Sequence, residues 1–255
     1  LIEAGAIAVI ARQLRSAVVD EQEAATAALA QLSGAGGQEA AVRDGALEPL
    51  LSLLQGGSVR AQKHAMQTLF HVAQCVQTKS ALASQAAAVA PCIQALQQSS
   101  DAEVREQAAV VLTCVADGGW RADIILGGGL APLVELLKCD AVSARAKAAR
   151  AIASLATDPR SHAGLQAALP RLVELAGVSG EAQEPSQLTL HRLSAGHNSE
   201  VRAALAQSDE ATMLLCQQLL TGSEEDQQAA VISLLNLIDK PEALATLVQG
   251  GGVPP

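Results

Sequence analysis

The chain has 255 residues, a formal net charge of −9 and 49% hydrophobic residues, yet only 1% aromatics. High hydrophobicity with 17% charged residues excludes a disordered chain, and the near absence of aromatics excludes base stacking on single strands and an aromatic cage for methylated lysine. The acidic balance gives no footing for DNA phosphates, so no nucleic-acid partner is expected. The length is that of one or two domains, and any core must be built from Ala, Leu, Val and Ile. Mean hydropathy is +0.24, but the longest uncharged stretch, residues 80–100, is broken by Gln85, Gln94, Gln97, Gln98 and Pro91, so no membrane span is expected. No basic segment followed by an apolar one opens the chain, and its start at Leu1 predicts a piece of a longer protein. Cys75, Cys92, Cys114, Cys139 and Cys216 are scattered without a paired spacing. They read as reduced thiols, which predicts a cytoplasmic setting.

Along the chain one pattern keeps returning. Gly5-Ala6-Ile7 opens a first copy, and Ala24, Ala25, Ala28, Leu29 and Leu32 then carry the spacing of an amphipathic helix. A glycine-rich break at 34–37 and a short helix over 38–43 lead into Gly45-Ala46-Leu47-Glu48-Pro49-Leu50-Leu51. The phrase returns at Ala87-Ala88-Val89-Ala90-Pro91-Cys92-Ile93, followed by a helix bearing Val104, Ala108, Val111, Leu112 and Val115. After Asp117-Gly118-Gly119 and Trp120 it comes again as Gly128-Gly129-Leu130-Ala131-Pro132-Leu133-Val134. The three prolines are 42 and 41 residues apart, and each suits the first turn of a helix, where a backbone N–H would have no partner. A helix over 132–138 and a longer one over 142–156, with Ala148, Ala149, Ile152 and Leu155 on one face, complete that copy. Asp158-Pro159 separates it from Ala168-Leu169-Pro170-Arg171-Leu172-Val173. In this fifth copy Pro185 falls where the long helix should already be under way. A short helix over 200–206, the Asp239-Lys240-Pro241 break, another short helix over 242–249 and Gly252-Val253-Pro254-Pro255 finish the series.

Three helices in each period of about 40 residues, without strands, describe an α-solenoid. On these phrases the chain resembles the armadillo repeat family over nearly its whole length, most strongly at 45–72 and 129–156. The resemblance implies an all-α, right-handed α-solenoid of about six armadillo repeats, three helices each, forming one domain over 1–255. It also implies that the third helices line a concave groove in which a ladder of asparagines grips an extended peptide, one amide serving both a backbone donor and an acceptor. By register the ladder positions here are Gln31, His71, Cys114, Ser154, Arg192 and Asn236. Only Asn236 keeps the family residue. Four residues earlier, where nuclear-import members carry tryptophan, stand Ala27, Gln67, Val110, Arg150, Leu188 and Ile232. Import-type recognition is therefore not expected.

The net charge hides a central basic set: Arg60, Lys63 and His64 in the second repeat, Arg145, Lys147 and Arg150 in the fourth, and Arg192 in the fifth. The outer copies are acidic, with Asp20, Glu21 and Glu23 at one end and Glu224, Glu225 and Asp226 at the other, residues that also suit helix N-termini. The basic set is similar to that of family members whose grooves take acidic, extended partners. The partner-binding residues expected are Gln31, Lys63, His71, Lys147, Arg150, Arg192 and Asn236.

No other chemistry is indicated. His64, His71 and Cys75 share a helix face, but two turns between the histidines is too long for helical zinc chelation. His191 and His197 flank Arg192, a poor neighbour for a metal. Gly127-Gly128-Gly129 lacks the Lys-Ser/Thr of a phosphate loop. No cofactor, metal or catalytic residue is expected, and Trp120 reads as packing beneath its loop, the alternative being an exposed anchor for a partner. The expected function is a non-enzymatic scaffold binding a protein partner. The alternatives are a structural subunit of a large cytoskeletal or ciliary complex and the substrate-recruiting part of a ubiquitin ligase.

Overall fold

A computed structural model describes residues 5–196 and 198–237, where the chain is a succession of helices with no strand among the described residues. Leu1, His197, the break at 239–241, the short helix expected over 242–249 and the phrase at 252–255 lie outside the described residues, as do the side chains of Glu225 and Asp226. The chain divides into two compact units, residues 1–132 and 133–255.

The first unit opens with α1 (Ala6–Gln13) and the long α2 (Val19–Leu32). Two full triplets follow: α3 (Gln38–Arg43), α4 (Leu47–Gly56) and α5 (Val59–Gln74), then α6 (Lys79–Ala83), α7 (Val89–Gln98) and α8 (Ala102–Val115). After α9 (Arg121–Leu126), the division falls within α10 (Leu130–Leu137). That helix starts two residues before the expected position, which puts Pro132 third in the helix, as Pro49 is in α4 and Pro91 in α7. A first-turn proline removes an N–H that has no helical acceptor.

The second unit continues with α11 (Val142–Leu155), α12 (His162–Leu165), α13 (Leu169–Gly177), α14 (Gln183–Ala195), α15 (Ser199–Ala206), α16 (Asp209–Thr221) and α17 (Glu224–Leu237). Every other long third helix begins twelve residues before its ladder position, but α14 begins nine before Arg192. Pro185 is the reason: it is tolerated only in the first turn, so the helix starts late enough to put it third.

Two buried rows explain how an aromatic-poor chain packs. Six residues before the ladder position stand Ala25, Ala65 and Ala108 in the first unit and Ala148, Ser186 and Ala230 in the second, all buried. Two residues before it stand Leu29, Leu69, Leu112, then Ile152, Leu190 and Leu234, also buried. The small row lets neighbouring third helices approach, and the branched row fills the remaining space at roughly 1.5–3 kcal/mol per buried side chain.

Turn chemistry alternates with the residues available. Gly45 and Gly128 enter their second helices at φ +75° and +81°, a conformation that favours glycine. At the matching positions Ala87 and Ala167 cannot do this cheaply, and the chain makes the short 3-10 turns Ala86–Ala88 and Gln166–Ala168 instead. The exits of the third helices show the same substitution. Gly36 and Gly119 kink the chain at φ +97° and +107°. Where no glycine is present, a buried side chain takes the helix-terminal carbonyl: Thr78 Oγ1 donates to Val72 O at 2.9 Å and His162 Nε2 pairs with Ala156 O at 3.0 Å. Both devices satisfy carbonyls that the helix end leaves without partners. Trp120, at the kink, is half-buried. No described helix is long and apolar enough to cross a membrane.

Candidate groove residues on the third helices

Within the first unit α5 packs between α2 and α8; within the second, α14 packs between α11 and α17. The expected ladder positions therefore recur on adjacent helices inside each unit, though their side chains differ in what they can offer.

In the first unit Gln31 is exposed and is the one amide at a ladder position. His71 is half-buried; its ring lies against the backbone at Gly34 and meets Phe70 edge-on at 5.5 Å. Burial holds its imidazole below the ordinary histidine value, so His71 is a neutral hydrogen-bonding group at pH 7 and not a cation. Cys114 donates its thiol to Lys79 O at 3.2 Å, and burial pushes that thiol up to about 11. Lys63 is held within its own unit. Its Nζ lies 2.7 Å from Asp101 Oδ2 and 3.6 Å from Glu103 Oε2, at the start of α8. The hydrogen bond between them raises Lys63 and lowers Asp101 relative to their ordinary values. Arg60 is paired in the same way with Glu23 of α2, at 3.6 Å, while Glu23 accepts from Ser58 Oγ at 2.6 Å. The basic residues of the second repeat thus tie adjacent third helices together.

The second unit is different. Arg150 is exposed and Lys147 half-buried on α11, and neither has an ion pair among the described residues. Arg192 on α14 reaches across to α11 and donates to the Ala153 carbonyl. Ser154, at the ladder position of α11, is buried, and Asn236 on α17 is half-buried. His191 Nδ1 lies 2.9 Å from Ser233 Oγ, a contact that joins α14 to α17. The structure therefore brings Lys147, Arg150 and Arg192 onto adjacent helices, with Asn236 on the next.

Two positions noted in the sequence only for lacking tryptophan add to this face. Leu188 and Ile232, in the row of Arg150, are 40% and 48% exposed, and they give the face an apolar component beside its cations. Their spacing from the ladder was the available signal. No three His, Cys, Asp or Glu side chains are grouped as a metal site among the described residues, and His64 Nδ1 is a buried atom without a hydrogen-bond partner.

No protein-family model matches the sequence, and neither does any curated protein sequence. Solved structures do match in fold. A computationally designed armadillo repeat protein for modular peptide recognition superposes with a TM-score of 0.72 at 24% identity, over 90% of this chain and 99% of that one. A designed armadillo repeat protein in complex with the peptide (KR)4 gives 0.68 at 24% identity, over 91% and 99% of the two chains. A chain from a structure of the cadherin–beta-catenin interaction and its phosphorylation switch gives 0.82 at 20% identity, over 96% of this chain and 49% of that one. Helices in triplets, first-turn prolines in the second helix, and these superpositions lead to one conclusion: the chain has the armadillo-repeat fold.

Proposed function

We propose that this chain is a non-enzymatic scaffold that holds an extended, acidic segment of a partner protein on the third-helix face of residues 133–255. The observation that carries the reading is the contrast between the two sets of cations. Arg60 and Lys63 are neutralised by carboxylates of their own unit, whereas Lys147 and Arg150 have no ion pair among the described residues. Unpaired cations on adjacent turns create a positive field that steers and orients an anionic partner. Arg192 adds a guanidinium next to them, and Asn236 an amide able to bond both sides of a peptide unit. The peptide and protein complexes of the structurally similar proteins support the use of this fold for binding, and (KR)4 in one of them is of the opposite charge to the segment proposed here.

The test is a fluorescence-anisotropy titration of a labelled twelve-residue peptide rich in glutamate, against the same peptide with glutamine at every glutamate. The glutamate peptide should bind the chain, lose affinity steeply as salt is raised, and lose about tenfold or more when Lys147 and Arg150 are both changed to glutamate. Equal binding of both peptides would overturn the reading.

A further inference from the structure

The second unit holds a cleft that the cationic surface does not use. It lies between two hairpins, α13–α14 and α16–α17, as adjoining cavities of about 210 and 500 Å³ that share Glu184, Gln187, Leu214 and Gln218. The late start of α14 leaves its outer end open beside Gly177 and Gly180. The floor is aliphatic: Leu214 and Leu215 are buried there, and Leu188 stands partly exposed at the lip. Beside them stand the amides of Gln218 and Gln187, the latter's Nε2 already donating to Ala176 O at 3.0 Å.

Among the described residues Glu184 is the one carboxylate lining this space, His191 also lines it, and no lysine or arginine does. Glu184 is exposed and has no ion pair among the described residues. An aliphatic floor ending at a carboxylate complements a long alkyl stem that ends in a cation, because such side chains bury the stem while the head stays near water and its counter-ion. Glu184, Leu188 and Arg192 also stand at i, i+4 and i+8 on α14, so they form one ridge of the helix. The backbone positions of Glu184 and Arg192 are therefore roughly 12 Å apart along the helix axis.

We propose that this cleft takes a lysine or arginine side chain of the partner segment, with its stem on Leu188 and Leu214 and its cation at Glu184. The inference rests on the acidic-segment reading and deepens it. The segment recognised is then two-signed: acidic residues against Lys147, Arg150 and Arg192, and a basic residue a few positions to one side. A uniformly acidic segment leaves the cleft empty and Glu184 facing like charge.

The test uses the whole chain and three labelled peptides: the glutamate-rich peptide alone, and the same peptide carrying lysine four residues beyond its amino or its carboxyl end. One of the two lysine peptides should bind about tenfold tighter than the parent, since each chain direction places the lysine at only one end of the face. Glu184→Gln should erase that gain without weakening the parent peptide, which loses a like charge opposite it; Leu188→Ser should reduce the gain. Glu184 is exposed, so circular dichroism of Glu184→Gln should match the original protein. The proposal is overturned if neither lysine peptide gains, or if the gain survives Glu184→Gln. Failure of the parent and of both lysine peptides to bind the unaltered chain overturns the acidic-segment reading and this proposal with it, whereas parent binding without a lysine gain overturns this proposal alone.

Discussion

At the scale of single residues, the same substitution should have opposite signs at two glycines. A Cβ on Gly118 would collide with the backbone carbonyl of Ala83, which belongs to α6 and has little freedom to retreat. Gly118→Ala should destabilise the protein by about 1–3 kcal/mol, the usual cost of overpacking. At Gly56, the last residue of α4, a Cβ meets nothing within 4 Å and φ lies outside the left-handed region. Gly56→Ala should stabilise by roughly 0.5 kcal/mol, mainly by restricting the unfolded chain. Urea denaturation of both variants checks the pair. The cysteines differ just as sharply. A hydrogen bond with Thr78 pulls the Cys75 thiol below its ordinary value, while burial pushes Cys114 up to about 11 and Cys92 up to about 12. Because the thiolate is the nucleophile, Cys75 should alkylate first of the three with iodoacetamide at pH 8, as read by peptide mapping. First labelling of Cys92 or Cys114 would contradict this.

His71 gives a pH dependence whose sign follows from burial. Its folded value is lowered, so the unfolded chain binds the proton more tightly than the folded one. Its contribution to stability is complete above the unfolded histidine value, about 6.5, and is lost as pH falls from there through the folded value. The melting temperature should fall across that acidic window, and His71→Gln should flatten the fall. An identical pH profile for the variant would contradict the assignment.

At the scale of elements, the helices were legible because a 3.6-residue period and first-turn prolines are local signals. The short helix over 38–43 was placed to the residue, and the start of α11 was read correctly. Pro185 announced an irregular fifth copy but not its remedy, a late helix start, since that depends on the packing of the α13–α14 hairpin. The caps at Thr78 and His162 were not legible either. Each side chain bonds a carbonyl six residues back, and only the buried turn brings the two together. Thr78→Val keeps the shape of the side chain but leaves Val72 O without its partner. The cost should be about 1–3 kcal/mol, measured by urea denaturation, and a neutral change would show that the cap is dispensable.

At the scale of the whole molecule, the aggregate charge of −9 says little about the surface offered to a partner. The basic residues were visible in the sequence, but their roles were not. Lys63 meets Asp101 across 38 residues of sequence, a pairing set by the stacking of one repeat on the next. Lys147 and Arg150 look equivalent to Lys63 in the sequence, and only the structure separates Lys63, held by Asp101, from the two that have no ion pair among the described residues. The cleft at Glu184 was invisible for the same reason, because its walls come from two repeats. The proposed binding face is therefore that of the third helices α11, α14 and α17, where Lys147 and Arg150 have no ion pair among the described residues.

The most direct test of that claim is a charge-swap cycle at Arg150. The glutamate-rich peptide and a set of variants, each with one glutamate changed to lysine, are titrated against the unaltered chain and against Arg150→Glu. Arg150→Glu should weaken the parent peptide by about tenfold, and one lysine variant should bind Arg150→Glu better than the parent does while binding the unaltered chain worse. Additive losses for every lysine variant, with no restored pair, would contradict contact between Arg150 and an acidic segment.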